Sequence, residues 1–235
     1  MSLNRLFGRS QSDEDEHWLS VSDLMAGLMV IFLFIAITYI RPIVEMRDQV
    51  REIVVTWNNS EIEIYKALKQ EFQEDLPKWH AELDKKTLSV RFKSPDVLFA
   101  QSTAVLRPEF EKILEDFFPR YLIVLYRFKS NIAEVRIEGH TSSEWSTHTD
   151  PLEAYFRNME LSQARTRAVL EYCLNLGFMD LFKNWARKYI TANGLSSSQL
   201  ILRNGVEDVV RSRRVEFRVR TNAKEQIIKV LETVK

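Results

Sequence analysis

The sequence predicts a mixed α/β (α+β) protein with a single N-terminal transmembrane helix, a helical stalk and a βαβαβ-type C-terminal domain. Three observations carry the prediction. Leu24 to Ile40 is a run of 17 residues in which only Thr38 and Tyr39 bring polar side-chain atoms. Beyond it, apolar residues recur every three or four positions as far as Leu76, the period of an amphipathic helix. From Leu88 onward, three segments alternate apolar with polar residues, the period of a half-buried strand.

Residues 1–17 read as a polar tail, rich in Ser, Gln, Asp and Glu. Residues 18–41 form the span, long enough at about 1.5 Å per residue to cross a hydrocarbon core about 30 Å thick. It reads as a retained anchor. The acidic run Asp13-Glu14-Asp15-Glu16 precedes it where a signal peptide has basic residues, and Arg41-Pro42-Ile43 is no small-residue cleavage site. Arg5 and Arg9 lie before it and Arg41, Arg47 and Arg51 after it, so the positive-inside count leaves its orientation open.

Residues 42–86 read as a helical linker. Pro42 marks a change of state, and Ile43, Met46, Val50, Ile53 and Trp57 make one stripe. Asn58-Asn59-Ser60 is expected to break the helix, with Ser60 and Glu63 as a capping box. A second stripe follows through Ile62, Tyr65, Leu68, Phe72 and Leu76, and Pro77 ends it. On an isolated stalk these stripes have nothing to bury against, so they require a partner or a neighbouring surface.

Residues 87–222 read as the α/β domain. Leu88, Val90 and Phe92 mark a strand, and a loop with Pro95 follows. Pro108 opens a helix, with Pro119 expected to interrupt it and Tyr121–Phe128 ambiguous. Ala133, Val135 and Ile137 mark a second strand ending at Gly139, and Thr141–Asp150 is a polar loop. A helix is expected over Ser162–Leu176, closed by Gly177, and another over Phe178–Arg187. Lys188–Asn193 reads as a strand and Leu195–Val210 mostly as loop. Val215, Phe217 and Val219 mark the last strand, and residues 223–235 a terminal helix.

Composition removes several function classes. Formal net charge is zero, which disfavours bulk attraction to nucleic acid. Arg211, Arg213, Arg214, Arg218 and Arg220 alternate with apolar residues and read as the solvated face of a strand, so no direct nucleic-acid partner is expected. The single cysteine, Cys173, excludes an internal disulfide and reads as a core residue. No phosphate loop, dinucleotide fingerprint, zinc-protease motif or GxSxG elbow occurs. His140, Glu144, His148 and Asp150 match no zinc spacing. Neither enzymatic activity nor a cofactor is expected.

Asp23 is the one acid at the edge of the apolar run. Spacing alone leaves two readings. It caps a helix beginning at Leu24, or it lies over a turn deep in a helix that starts near Trp18 and takes up and releases an ion. The stretch Ser22-Asp23-Leu24-Met25-Ala26-Gly27-Leu28-Met29 resembles the transmembrane helix of MotB-type stator subunits. The resemblance implies that Asp23 is the ion-translocating residue, with H+ the default ion, and that the N-terminus is cytoplasmic.

A second set of motifs lies in the C-terminal domain: Gly139-His140-Thr141, Asn158 with Leu161-Ser162-Gln163-Ala164-Arg165, and Arg213-Arg214-Val215-Glu216. Together they resemble the OmpA-like peptidoglycan-binding domain. The resemblance implies a periplasmic domain gripping the diaminopimelate ends of peptide stems, with Asn158, Leu161 and Arg165 in the groove and Arg165 pairing a carboxylate. Ser142 stands where that family has Asp, which removes the expected partner of the ligand ammonium and leaves Glu144 or Asp150 as substitutes.

An acid-bearing span, a stalk and an OmpA-like domain in so short a chain most resemble the MotB-like family of Zorya anti-phage defence systems. The resemblance implies a homodimer inside a pentamer of MotA-like ZorA subunits in the bacterial inner membrane, anchored to peptidoglycan and driven by ion flow. A flagellar-type stator subunit and a passive wall tether are the alternatives.

Overall fold

The computed structural model describes residues 11–93, 98–100, 102–146 and 148–222, with residues 225, 228 and 232; the side chains of 11–20, 53, 54 and 56–59 are outside the description. The loop at Pro95, residues 1–10 of the tail and most of the expected terminal helix lie outside the described residues. The chain divides into two units, residues 1–52 with 228–235, and residues 53–227.

In the first unit the chain is helical from Gln11, the start of α1 (Gln11–Phe72). The end of the expected tail is therefore helix. Leu24, Met29 and Phe34 are each more than 70% exposed. A helix apolar all round with its side chains exposed is a membrane or subunit-contact helix, and Val21–Glu52 is long and apolar enough to span. Thr38 Oγ1 donates to the Phe34 carbonyl at 2.7 Å, so the hydroxyl is satisfied within the helix. Pro42 sits inside the helix rather than ending it, removing the N–H that would reach the Thr38 carbonyl.

The second unit contains the remainder of α1, a five-stranded sheet and two long helices. Asn58-Asn59-Ser60 does not break α1. Ser60 is buried and its hydroxyl accepts from Asn131 Nδ2 at 2.9 Å. Ile64, Leu68 and Phe72, one turn apart, are fully buried, and this burial outweighs the weak local propensity of the Asn-Asn-Ser step. The stalk thus ends inside the domain core, which corrects the reading of residues 42–86 as linker throughout. Arg120 fixes that end of α1. It donates to Glu71 at 2.7 Å, to Asp75 at 3.0 Å and to Asp116 at 3.1 Å, and its guanidinium lies 4.9 Å over the Phe72 ring.

The strands are β1 (Ala81–Asp84), β2 (Ser89–Lys93), β3 (Ile132–His140), β4 (Ile190–Gly194) and β7 (Arg214–Thr221), in the order β1-β2-β7-β3-β4. All pairs are antiparallel except β3–β4. β1 is an edge strand that the linker reading missed; its four half-buried residues, AELD, carry no alternation signal. α2 (Pro108–Tyr126) runs through Pro119. Burial of Phe117, Phe118, Tyr121, Leu122 and Leu125 offsets the hydrogen bond the proline forfeits. Phe117 packs with its centroid 5.0–5.1 Å from those of Phe72, Phe92 and Phe217. α3 (Pro151–Leu174) starts well before Ser162, because Asp150 caps it by accepting from Leu152 and Glu153 N–H. A 3-10 turn (Gly177–Leu181) and α4 (Lys183–Tyr189) follow. The expected loop 195–210 holds a small hairpin, β5 (Leu202–Arg203) and β6 (Val206–Glu207), and α5 (Val209–Ser212) begins within it.

The inner face of the sheet is apolar: Val90, Phe92, Val135, Ile137, Val215, Phe217 and Val219 are buried. The outer face was expected to be solvated, and at one end it is not. Glu138, His140, Arg214 and Glu216 are each at most 5% exposed. Segment 199–212 reaches this end, with Arg214 donating to the Gln199 and Ser212 carbonyls. Glu216 accepts from Arg214 Nε at 2.6 Å, Arg91 Nε at 2.8 Å and Ser89 Oγ at 2.8 Å. Burial opposes ionisation of Glu216, but the Arg214 hydrogen bond and the Arg91 charge outweigh it and hold the carboxyl at about 2. Burial pushes the His140 imidazole down to about 3 and the Glu138 carboxyl up. Glu138, His140 and Glu216 bring donor atoms within 4.8 Å of one another, but Glu216 Oε1 already accepts two guanidinium N–H groups. Glu216 is thus the centre of an ion-pair network with Arg91 and Arg214.

Candidate functional site

The site is built where α3 crosses the C-terminal ends of β3 and β4. Gly139 and Gly194 are register partners on these strands. A Cβ on Gly139 would lie 2.8 Å from the Ser162 carbonyl, and one on Gly194 would lie 2.3 Å from the Gln163 backbone nitrogen. Only glycine permits that approach. Gln163 seals it, with Oε1 accepting from Gly194 N–H at 2.6 Å and Nε2 donating to the Ala192 carbonyl. Ser162 Oγ accepts from Ser196 N–H, and the Ser196 carbonyl accepts from Thr141 N–H. The Gly-His-Thr and Leu-Ser-Gln motifs, apart in sequence, are two halves of this joint.

Helix α3 then presents Asn158, Leu161 and Arg165, at spacings of three and four, along one face. They line a cavity of about 590 Å³ together with Ser142. All four wall-site residues expected from the sequence therefore meet. Asn158 is buried, and its amide donates to the Ser142 and Glu144 carbonyls, both at 3.2 Å. Arg165 Nε donates to the Thr103 carbonyl at 2.9 Å, and its guanidinium lies 4.8 Å over the Phe99 ring. These contacts orient the fork before any ligand arrives.

Of the two acids considered as substitutes at Ser142, Glu144 lines the cavity. Asp150 is committed to the α3 N-cap. Sequence reasoning missed Arg107, Trp145 and Arg213, which also line it. Arg213 had been placed on a solvated strand face; it precedes β7 and donates to the Val209 carbonyl. Arg107, just before α2, donates to the Phe99 carbonyl at 3.0 Å. No local signal marks either residue, since loop paths bring them in. The described lining residues thus include the guanidiniums of Arg107, Arg165 and Arg213 and the carboxylate of Glu144.

Asp23 belongs to the other unit. The backbone there is helical from Gln11, so Asp23 lies inside a helix and does not cap one beginning at Leu24.

Residues 98–213 match the OmpA family. The Zorya protein ZorB of Escherichia coli is 48% identical over 234 residues, covering 98% of this chain and all of that one. Among solved structures, a putative MotB like protein from Desulfovibrio vulgaris aligns over 73% of this chain and 94% of its own, at 22% identity and a TM-score of 0.48. The cell wall anchor of the T6SS from Pseudomonas aeruginosa aligns over 66% and 96%, at 23% identity and a TM-score of 0.45. With nearly half its residues shared along the full length of a ZorB protein, the chain belongs to the ZorB family and carries an OmpA-family domain.

Proposed function

We propose that this chain is the wall-anchoring, ion-carrying subunit of an ion-driven inner-membrane motor in Zorya anti-phage defence, with the N-terminus cytoplasmic and the linker and C-terminal domain periplasmic. Asp23 takes up and releases the ion, taken as H+, between its own helix and a MotA-like pentamer. Two copies of the chain sit within that ring, and the groove at Ser142, Asn158, Leu161 and Arg165 holds peptidoglycan. The role is mechanical and not catalytic. Membership of the ZorB family supports defence over flagellar motility.

The observation that carries the ion-site reading is the place of Asp23. It lies within the helix, next to a surface apolar from Leu24 to Ile37. An acid carried into the hydrocarbon costs free energy unless it faces protein or a water-filled path, and such acids mark ion pathways. Ala26 and Gly27, three and four residues on, share its face, and a Cβ on Gly27 would meet nothing within 4 Å. A neighbouring helix can approach closely there.

Asp23→Asn tests the reading directly. Protection against phage is expected to disappear while the protein still assembles and still sediments with purified peptidoglycan. Full protection by Asp23→Asn would leave only a passive tether. Arg165→Ala tests the other end and is expected to lose sedimentation with peptidoglycan.

A further inference from the structure

The groove lies at the C-terminal ends of the parallel strands β3 and β4. At the opposite pole, where these strands begin, α2 leads into β3 and α4 leads into β4. The two helices meet there through their rings. The Tyr126 ring centroid lies 5.3 Å from that of Phe182 and 6.0 Å from that of Trp185, and Trp185 stacks on Tyr189 at 5.4 Å. Lys129 Nζ lies 4.4 Å from the Tyr126 centroid, and Lys188 Nζ lies 5.2 Å from the Tyr189 centroid. The row Tyr126, Trp185, Tyr189 thus carries a cation over each end. Nearby on the same two segments, Leu181 is 88% exposed and Ile123 is 54% exposed.

Charge at this pole is one-sided. Segments 123–131 and 178–189 hold Arg127, Lys129, Lys183, Arg187 and Lys188 against the single acid Asp180. All five cations are exposed, and among the described residues none reaches a carboxylate. Arg91, Arg120 and Arg214, by contrast, are each paired with acids. Exposed apolar side chains, amphipathic Trp and Tyr rings and unpaired Lys and Arg together suit a lipid headgroup layer. The apolar residues alone would also suit a second copy, but a two-fold contact would set these cations against themselves.

The chain enters the domain at the same pole. Ser60 Oγ accepts from Asn131 Nδ2, two residues beyond Lys129. Residues 41–59 are all the chain between this point and the apolar run, and Pro42 gives that stretch of helix a place to bend.

We propose that the pole formed by the end of α2 and by α4 is a docking surface for an anionic lipid bilayer, with Leu181 entering the headgroup layer and the lysines and arginines meeting lipid phosphates. The surface is separate from the groove and leaves it open.

The experiment uses the full chain reconstituted in lipid nanodiscs. A polarity-sensitive nitrobenzoxadiazole label is placed at Leu181→Cys; the native Cys173 is buried. Label emission is expected to shift to the blue in phosphatidylglycerol nanodiscs and not in phosphatidylcholine nanodiscs. Raising the salt from about 0.1 M to about 1 M shortens the screening length from about 10 Å to about 3 Å and is expected to reverse the shift. Lys129→Gln with Lys188→Gln is expected to lower the docked-to-free ratio about fivefold for each lysine removed. The same label at Leu152→Cys, at the groove pole, is expected not to shift. No shift at position 181, an equal shift in both lipids, or an equal shift at position 152 would overturn the proposal. In phosphatidylcholine nanodiscs, a blue shift at position 181 on adding a single-stranded oligonucleotide would assign the surface to nucleic acid and overturn it as well.

Discussion

Removing the Glu216 carboxylate is expected to be among the most damaging single changes in the domain. Glu216 is 2% exposed and is the shared acceptor of Arg91 Nε, Arg214 Nε and Ser89 Oγ. Glu216→Ala leaves Arg214, itself 5% exposed, with a buried charge and, among the described residues, no other carboxylate at hydrogen-bonding distance. Breaking one side of a buried pair costs about 3–5 kcal/mol. The carboxyl itself gives a second route to the figure. Held at about 2 against an ordinary 4.5, it contributes about 3 kcal/mol when ionised in the folded state. Because that value is depressed, the contribution is complete above pH 4.5 and disappears as pH falls toward 2. For a domain of this size the loss corresponds to a fall of roughly 6–20 °C in melting temperature. Thermal unfolding followed by near-UV circular dichroism at pH 7, on the full chain in detergent, reads it. A shift below about 2 °C would show that the arginines find water or other acceptors, and that this end of the outer sheet face is not closed.

Other outcomes follow from the same geometry. His140, held neutral by burial at about 3, binds its proton in the unfolded chain first; stability is expected to fall by up to about 1.4 kcal/mol per pH unit below pH 6.5. His140→Gln is expected to flatten urea-unfolding free energies between pH 6.5 and 4.5. Gly194→Ala places a Cβ 2.3 Å from the Gln163 nitrogen, and is expected to cost about 1–3 kcal/mol and to weaken peptidoglycan sedimentation by shifting α3. Arg120→Ala is expected to raise amide exchange over residues 60–76. Arg120→Lys is expected not to rescue it, since an ammonium cannot reproduce the forked contacts to Glu71 and Asp75.

The sequence by itself determined whatever depends on neighbours along the chain. The apolar run after Asp23 and the alternation in β2, β3 and β7 are local patterns, whereas α3 ends at Leu174 with Asn175 as its cap and Gly177, expected to close it, opens the following 3-10 turn. The grouping of Ser142, Asn158, Leu161 and Arg165 was legible because ordered motifs carry it. Tertiary structure decided what depends on distant partners. Asn58-Asn59-Ser60 and Pro119 are breakers by propensity, yet α1 and α2 pass through them because burial at Ile64, Leu68, Phe117 and Tyr121 is worth more. Alternation showed that Arg214 and Glu216 point away from the core. It held no information on whether segment 199–212 would close over them. Glu144 and Asp150 were equivalent as residue types until the loop path gave one to the groove and the other to a helix cap. Arg107 and Arg213 joined the site for the same reason. Periodicity encodes which way a side chain points, while what it meets there is set by chain segments far away in sequence.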